Sequence, residues 1–283
     1  MVEVLNGREV SKDLNKVTKE KVEKLLDAGI TPTLAIMRAD QNPASIQYEK
    51  AATRFMKRVG IDTKHVVFPD GVSQEEFLES LDQVNQDDQI HGILVMQPLP
   101  VNIDLQMVAD HISPEKDIDG MHVLNLGKIM AEESEGHLPS TVRAVIELLA
   151  YYKIGVARKE ITVIGKSNTV GKPLSVLLLN QGATVSTCHT VTRDLTVYTK
   201  QSDIVISATG EIGLITKDHI TPGTVVIDVG FNFVDGKAYG DVAYDEVSEV
   251  ASKITPVPGG VGSVTTASLA RQVADATEWQ QQK

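Results

Sequence analysis

Short apolar runs alternate with long amphipathic stretches along nearly the whole chain, and this alternation limits the fold more than any other feature. TLAIM (33–37) is followed by a helical pattern after Ser45. KHVVF (64–68) is followed by SQEEFLESLDQVN (73–85), and GILVM (92–96) is stopped by the prolines of QPLP. Strand and helix repeating at this spacing predict parallel sheets joined by crossover helices. The pattern breaks at SPEKDIDGMH (113–122) and the Gly- and Glu-rich stretch up to His137, which reads as a domain junction. It restarts after the helical TVRAVIELLAYYK (141–153) with EITVIG, VGKPLSVLLLNQ, ATVSTCH, DIVISA and GTVVIDVG. The second block is richer in β-branched residues, as a doubly wound sheet buried on both faces requires. The expected architecture is therefore α/β with two domains. An N-terminal α/β domain spans 1–138, a Rossmann-like doubly wound domain spans 139–263, and a C-terminal helix over 264–283 packs back on the first domain.

Composition narrows the function. A net charge of −11 over 283 residues argues against a nucleic-acid or anionic-membrane partner, both of which need basic surface. One cysteine, Cys188, excludes an internal disulfide. No apolar run reaches the roughly 18 residues of a membrane span, and the N-terminus has no secretory h-region. A cytoplasmic protein is expected, with no metal site.

The strand–loop–helix EITVIGKSNTVGKPLSVLLL places Gly165 at a strand end and Gly171 at a helix start. Backbone amides at such a helix N-terminus attract phosphate. The spacing G-x-S-x-x-x-G departs from G-x-G-x-x-G, so the context carries the argument rather than the motif. An NAD enzyme usually places an acid at the end of the next strand to bind the ribose 2′-hydroxyl. Here ATVSTC runs into His189, Thr190, Val191 and Thr192, with the cations Lys166 and Arg193 nearby. That pattern favours NADP. SATGEIGLI, VIDVGFN with Gly230 and Phe231, and the rigid ITPVPGGVGS supply further glycines where a ligand can approach the backbone.

Read together and in order, GILV-x-x-PLP, PEKDIDG, GKSNTVGKP, ATVSTCH, DVGFN, GDVAYDEV and ITPVPGGVG resemble the methylenetetrahydrofolate dehydrogenase/cyclohydrolase family, the bifunctional FolD type. The resemblance implies a folate cleft between two α/β domains, NADP on the second, and a homodimer. It also implies two reactions on one-carbon derivatives of tetrahydrofolate. One oxidises 5,10-methylenetetrahydrofolate to the 5,10-methenyl form, and the other hydrolyses that product to 10-formyltetrahydrofolate. By motif, Tyr48 resembles the tyrosine that contacts the pterin, and Asp119 the aspartate that pairs with its N–H groups. Pro258, Gly259 and Gly260 complete the implied substrate site. Gly165, Lys166 and Ser167 resemble the phosphate loop, with Thr190 and Phe231 at further cofactor positions.

The departures from the family pattern are chemical. The catalytic lysine expected four residues after Tyr48 is Ala52, and the glutamine that would hold it is Met96. Gln97 lies one residue off and would point to the opposite face of a strand. Ser140, Val142 and Ala144 stand where the family prefers Cys, Pro and Gly, and Ser263 and Val264 replace a Pro-Met pair. Hydrolysis needs a group that activates water and handles protons, whereas hydride transfer needs only positioning. The sequence thus predicts a dehydrogenase with impaired cyclohydrolase activity. Two alternatives stand: a bifunctional enzyme in which Lys50, Arg54 or Lys57 substitutes, and a silent folate or nucleotide binder. Ser45 is expected to cap the Tyr48 helix.

Overall fold

The computed structural model describes residues 2–133 and 136–282. It divides into two compact units. One comprises Asp13–Lys128, Glu133–Ser140 and Thr266–Lys283, and the other Met1–Lys12, Ile129–Glu132 and Thr141–Thr265.

The first unit is built on a parallel three-stranded sheet ordered β3-β2-β4, with β2 Thr33–Arg38, β3 Asp62–Val67 and β4 Gly92–Val95. Side chains alternate across each strand. Ala35, Met37, Ile93 and Val95 enter one apolar cluster with Phe77, Leu81 and Val84 of α3 (Gln74–Gln86). Leu34, Ile36, Leu94 and Met96 enter a second cluster on the opposite face. That cluster is completed by Ala52, Met56 and Val59 of α2 (Pro43–Arg58) and by Leu269, Val273 and Ala274 of α10 (Gly262–Gln280). Burial on both faces explains why β2 and β4 read as apolar runs, whereas the edge strand β3, DTKHVV, is largely polar and exposed.

The helix starts refine the sequence reading. α1 spans Gly7–Asp27. α2 opens at Pro43, whose fixed φ suits the first helical position, and Ser45 is buried within its first turn rather than capping it. α3 has the capping box: the Ser73 hydroxyl accepts from the Glu76 amide, and the Glu76 carboxylate accepts from the Ser73 amide. Two short helices were not anticipated, α4 Leu105–His111 and α5 Val123–Met130. The second lies within the presumed junction.

The other unit carries a six-stranded sheet, all of whose pairings are parallel, ordered β1-β11-β8-β7-β5-β6. Its strands are β1 Glu3–Val4, β5 Glu160–Ile164, β6 Thr184–Cys188, β7 Ile204–Ser207, β8 Val225–Asp228 and β11 Lys253–Ile254. Helices α6 Ser140–Tyr151, α7 Gly171–Asn180, α8 Thr196–Thr199 and α9 Tyr244–Ser248 accompany it. A boundary at 138/139 places Met1–Lys12 with the first unit, but β1 pairs with β11 at the edge of this second sheet. A two-residue strand gives too weak a local signal to reveal such a pairing. An antiparallel hairpin, β9 Asn232–Val234 and β10 Lys237–Tyr239, forms a separate two-stranded sheet. Among the described residues no helix is long and apolar enough to cross a membrane.

Candidate active site

In the first unit, Tyr48 on α2 is 46% exposed, so it is not a core residue. Its hydroxyl hydrogen-bonds Thr266 of α10 and lies near Asp119. Withdrawal of the phenol from water and the Asp119 charge raise its pKa, outweighing the Thr266 hydrogen bond, which lowers it. The phenol is therefore a neutral donor across the physiological range.

Asp119 lies between α4 and α5, in the turn closed by Gly120, whose φ of +62° and crowding against Pro139 exclude a side chain. The Asp119 carboxylate accepts from the Ser140 amide at 3.3 Å, and the Ser140 side chain also hydrogen-bonds it. Desolvation raises its pKa and the two Ser140 hydrogen bonds oppose the shift. Asp117, two residues earlier, is buried and accepts from the amides of Met121 and His122 and from Asn125 Nδ2, at 2.8–3.0 Å. Burial pushes its pKa up to about 7. Asp117 therefore shapes the turn that presents Asp119.

Gln272 of α10 is the residue that sequence reasoning missed. It is 1% exposed. Its amide nitrogen donates to Ile118 O (2.6 Å), Leu138 O (2.9 Å) and Ser140 Oγ (3.5 Å), and its oxygen accepts from Leu138 N (3.0 Å). It thus staples the residue before Asp119 to the segment that supplies the donors of Asp119. A lone glutamine in a helix pattern gave no signal of this, because its partners are more than 130 positions away.

Ala52 and Met96 are 1% and 4% exposed and share one apolar cluster. Met96 continues the β4 alternation onto the α2 face. Gln97 turns the other way and donates weakly to Met121 Sδ at 3.6 Å. The helix face bearing Tyr48 thus has apolar packing where an ammonium and an amide would otherwise stand. Lys50 and Arg54 lie on the opposite side of α2, lining a groove with Arg38 and His65.

In the second unit, β5 lies between β6 and β7, so its carboxyl end is a switch point where a doubly wound sheet takes its ligand. Gly165 has a φ of +124°, and an added Cβ would meet Ala208 O at 2.4 Å. A Cβ on Gly171 would meet Gly165 O at 2.0 Å. Both glycines are thus dictated by close backbone approach, which leaves a cradle free of side chains at the start of α7. Ser167 Oγ accepts from the amides of Val170 (3.1 Å) and Gly171 (3.4 Å), so this hydroxyl caps the loop. Lys166, Thr190 and Arg193 are exposed, as is Phe231 at 62%. Asp194, an acid just past the 189–192 segment, accepts from the amide and hydroxyl of Thr196 at 2.9 and 2.7 Å. Those bonds hold its pKa down and commit it locally.

Two buried carboxylates brace the loops at this sheet end. Asp241 accepts from Ser207 Oγ, Thr209 N and Thr209 Oγ1 at 2.7–2.9 Å. Asp228 accepts from the amides of Gly230, Asp241 and Val242 at 2.9–3.0 Å. Desolvation lifts Asp228 to about 6. The Pro258–Gly260 loop belongs to this same unit, where the Gly7 amide donates to Gly259 O at 2.8 Å and a Cβ on Gly7 would meet Gly260 O at 2.0 Å.

Comparison with known proteins decides the family. The catalytic-domain model of tetrahydrofolate dehydrogenase/cyclohydrolase matches residues 5–119, and its NAD(P)-binding-domain model matches residues 139–281. The chain belongs to the tetrahydrofolate dehydrogenase/cyclohydrolase family. A bifunctional FolD protein of Bacillus licheniformis is 44% identical over 276 residues, 97% of each chain. The bifunctional FolD enzyme of Campylobacter jejuni has a crystal structure that superposes with a TM-score of 0.96 at 39% identity, covering 98% of this chain and 99% of that one. The Trypanosoma brucei member of the family, solved with NADP cofactor and an inhibitor, gives 0.94 at 32% identity over 100% and 99% of the two chains.

Proposed function

We propose that the chain oxidises 5,10-methylenetetrahydrofolate to 5,10-methenyltetrahydrofolate with NADP, and that it hydrolyses the methenyl product little or not at all. One observation carries the second half: Ala52 and Met96 pack into a single apolar cluster on the face that presents Tyr48. A lone buried glutamine at position 96 would lack a partner and cost free energy, whereas methionine fills the space with no polar atom to satisfy. The two substitutions are thus mutually consistent as a site without an ammonium.

In this reading Asp119, fixed by Ser140 and the Gln272 staple, accepts paired hydrogen bonds from the pterin N–H groups. Tyr48 offers its ring to the folate, and Thr266 fixes its neutral hydroxyl. Pro258, Gly259 and Gly260 are the further substrate residues that the family pattern implies. The side-chain-free cradle of the Gly165–Ser167 loop at the start of α7 fits a pyrophosphate, and Lys166 and Arg193 fit a ribose 2′-phosphate. Thr190 and Phe231 offer further contacts to the same group. NADP, when bound, supplies the hydride acceptor. No protein acid or base is required for that transfer, so the dehydrogenase tolerates loss of the lysine. Lys50 and Arg54 do not replace it, because they line a different face of α2. The unit of Asp13–Lys128, Glu133–Ser140 and Thr266–Lys283 is the folate domain in this reading, and the unit of Met1–Lys12, Ile129–Glu132 and Thr141–Thr265 the cofactor domain. The exposed apolar hairpin, with Phe233 at 69% and Tyr239 at 40% exposure, is the surface on which we place a homodimer.

Assaying both half-reactions on one purified sample tests the reading. NADP reduction by methylenetetrahydrofolate without methenyl hydrolysis above the solvent rate is expected. No NADP reduction would leave a silent binder, and hydrolysis at a rate comparable to oxidation would establish a bifunctional enzyme.

A further inference from the structure

The face of α2 turned away from Tyr48 forms one wall of a groove of about 530 Å³. Its charged and titratable lining is Arg38, Glu49, Lys50, Arg54 and His65, with Gln47 and Thr53 as neutral polar neighbours. Arg38 and Glu49 are 6% and 7% exposed. Arg38 Nε donates to Glu49 Oε2 at 2.6 Å, and an Arg38 terminal nitrogen donates to the Asp40 carbonyl. His65 Nδ1 sits 2.5 Å from Glu49 Oε1, and its Nε2 lies 3.3 and 3.4 Å from the hydroxyls of Thr63 and Thr53. Both oxygens of Glu49 are therefore engaged. Burial raises the Glu49 carboxyl, but Arg38 and His65 outweigh it and hold the group below its ordinary range, so it is an anion.

Arg38 ends a strand whose preceding residues, Leu34 to Met37, are apolar and fully buried. An ion pair in such a place is generally no better for stability than well-packed apolar residues. Packing therefore does not explain Arg38 and Glu49. Beside them, among the described residues, Lys50 and Arg54 meet no carboxylate, the only bond between them being Arg54 Nε to Lys50 O at 3.2 Å. With His65 neutral the lining carries a net charge of two positive, in a chain whose total is −11. A concentration of cations around a concave, partly apolar surface in an acidic protein is the electrostatic complement of a small anion. The volume falls within the roughly 300–1,000 Å³ of ligand pockets.

We propose that this groove binds a small organic dianion. Its phosphate or paired carboxylates lie between Lys50 and Arg54, against the rigid Arg38–Glu49–His65 group, and its apolar portion rests on Ile46. Glu49 orients Arg38 and His65 and makes no contact with the ligand. The site is separate from Tyr48 and Asp119 and does not depend on the dehydrogenase reading.

The test titrates the full chain calorimetrically with glycerol 3-phosphate and, separately, with succinate, at constant ionic strength set by chloride. Lys50→Gln/Arg54→Gln and Lys166→Gln are run alongside the wild type, the last to report on the phosphate loop of the other unit. Saturable binding of either probe is expected, weakened about tenfold or more in the double variant, as loss of charge-assisted hydrogen bonds implies. It should survive in Lys166→Gln, and the probe that binds identifies the charged group. The double variant, altered only at exposed positions, should keep its thermal midpoint and its dehydrogenase rate. Absence of saturable binding by both probes, binding that persists in the double variant, or binding lost in Lys166→Gln would each overturn the proposal.

Discussion

Restoring the missing pair, Ala52→Lys with Met96→Gln, is the most demanding test of how this site works. Position 52 is 1% exposed and packed in the cluster that holds Met56, Met96 and Ile118. A lysine placed there alone adds three carbons and an ammonium to a filled space. Overpacking of this kind costs about 1–3 kcal/mol, and in a protein of this size each kcal/mol lowers Tm by about 2–4 °C. Burial of an unpaired ammonium adds to that cost and depresses the lysine pKa. The single variant should therefore melt several degrees lower, with little hydrolysis gained. Met96→Gln supplies a carbonyl on the same sheet face, and a hydrogen bond to a charged group returns about 1.5–3 kcal/mol. The double variant should regain much of the lost Tm and gain more hydrolysis than the two singles combined. A positioned acid–base group contributes about 10²–10⁴-fold, so even partial recovery is measurable. The assay follows loss of methenyl absorbance, background-subtracted, for all four proteins, with Tm and NADP reduction recorded in parallel. Robust hydrolysis by the wild type would refute the reasoning at its root. A folded double variant with no more hydrolysis than Ala52→Lys alone would show that Met96 is not the lysine's missing partner.

Gln272→Ala leaves Ile118 O and both backbone groups of Leu138 without their partner, at about 1–3 kcal/mol per buried group. It should lower Tm and raise the folate KM while NADP affinity is unchanged, and an unchanged folate KM would remove Gln272 from the site. Asp119→Ala should damage folate binding and oxidation but spare NADP affinity, which cofactor fluorescence titration checks. Because Asp117 is raised to about 7 from 3.8, its folded form holds a proton the unfolded chain has released. The wild type should therefore lose stability relative to Asp117→Asn as pH rises from about 4 to about 7, by up to about 1.4 kcal/mol per pH unit. A wild-type-minus-variant difference that stays constant across that window contradicts the burial assignment. Phe233→Asp should shift the protein from dimer to monomer in light scattering, and an unaffected dimer would exclude the hairpin as the interface. Lys166→Gln/Arg193→Gln should reduce kcat/KM for NADP far more than for NAD, and equal losses would deny a 2′-phosphate site.

The fold class was legible in the sequence because parallel sheets buried on both faces leave apolar runs such as GILVM and TVVID that nothing else requires. The phosphate loop was legible for a related reason. Gly171 is a local constraint, set by its approach to Gly165 O within one strand–loop–helix unit, whereas the constraint on Gly165 comes from Ala208 O beyond β7. Tyr48 and Asp119, and the vacancy at Ala52 and Met96, were reached by motif alone. The physical sense of that vacancy, an apolar pair filling one cluster, came only from the packing of α2 against β4. What the sequence could not contain was anything made by partners distant along the chain. β1 pairing with β11, Gln272 stapling Ile118 to Leu138, Thr266 holding Tyr48, and the Arg38–Glu49–His65 group each join residues whose individual types are unremarkable for their elements. Local pattern records the interactions a residue makes with its neighbours in sequence. Hydrogen bonds and ion pairs that close long loops leave no period behind, and only the folded chain decides them.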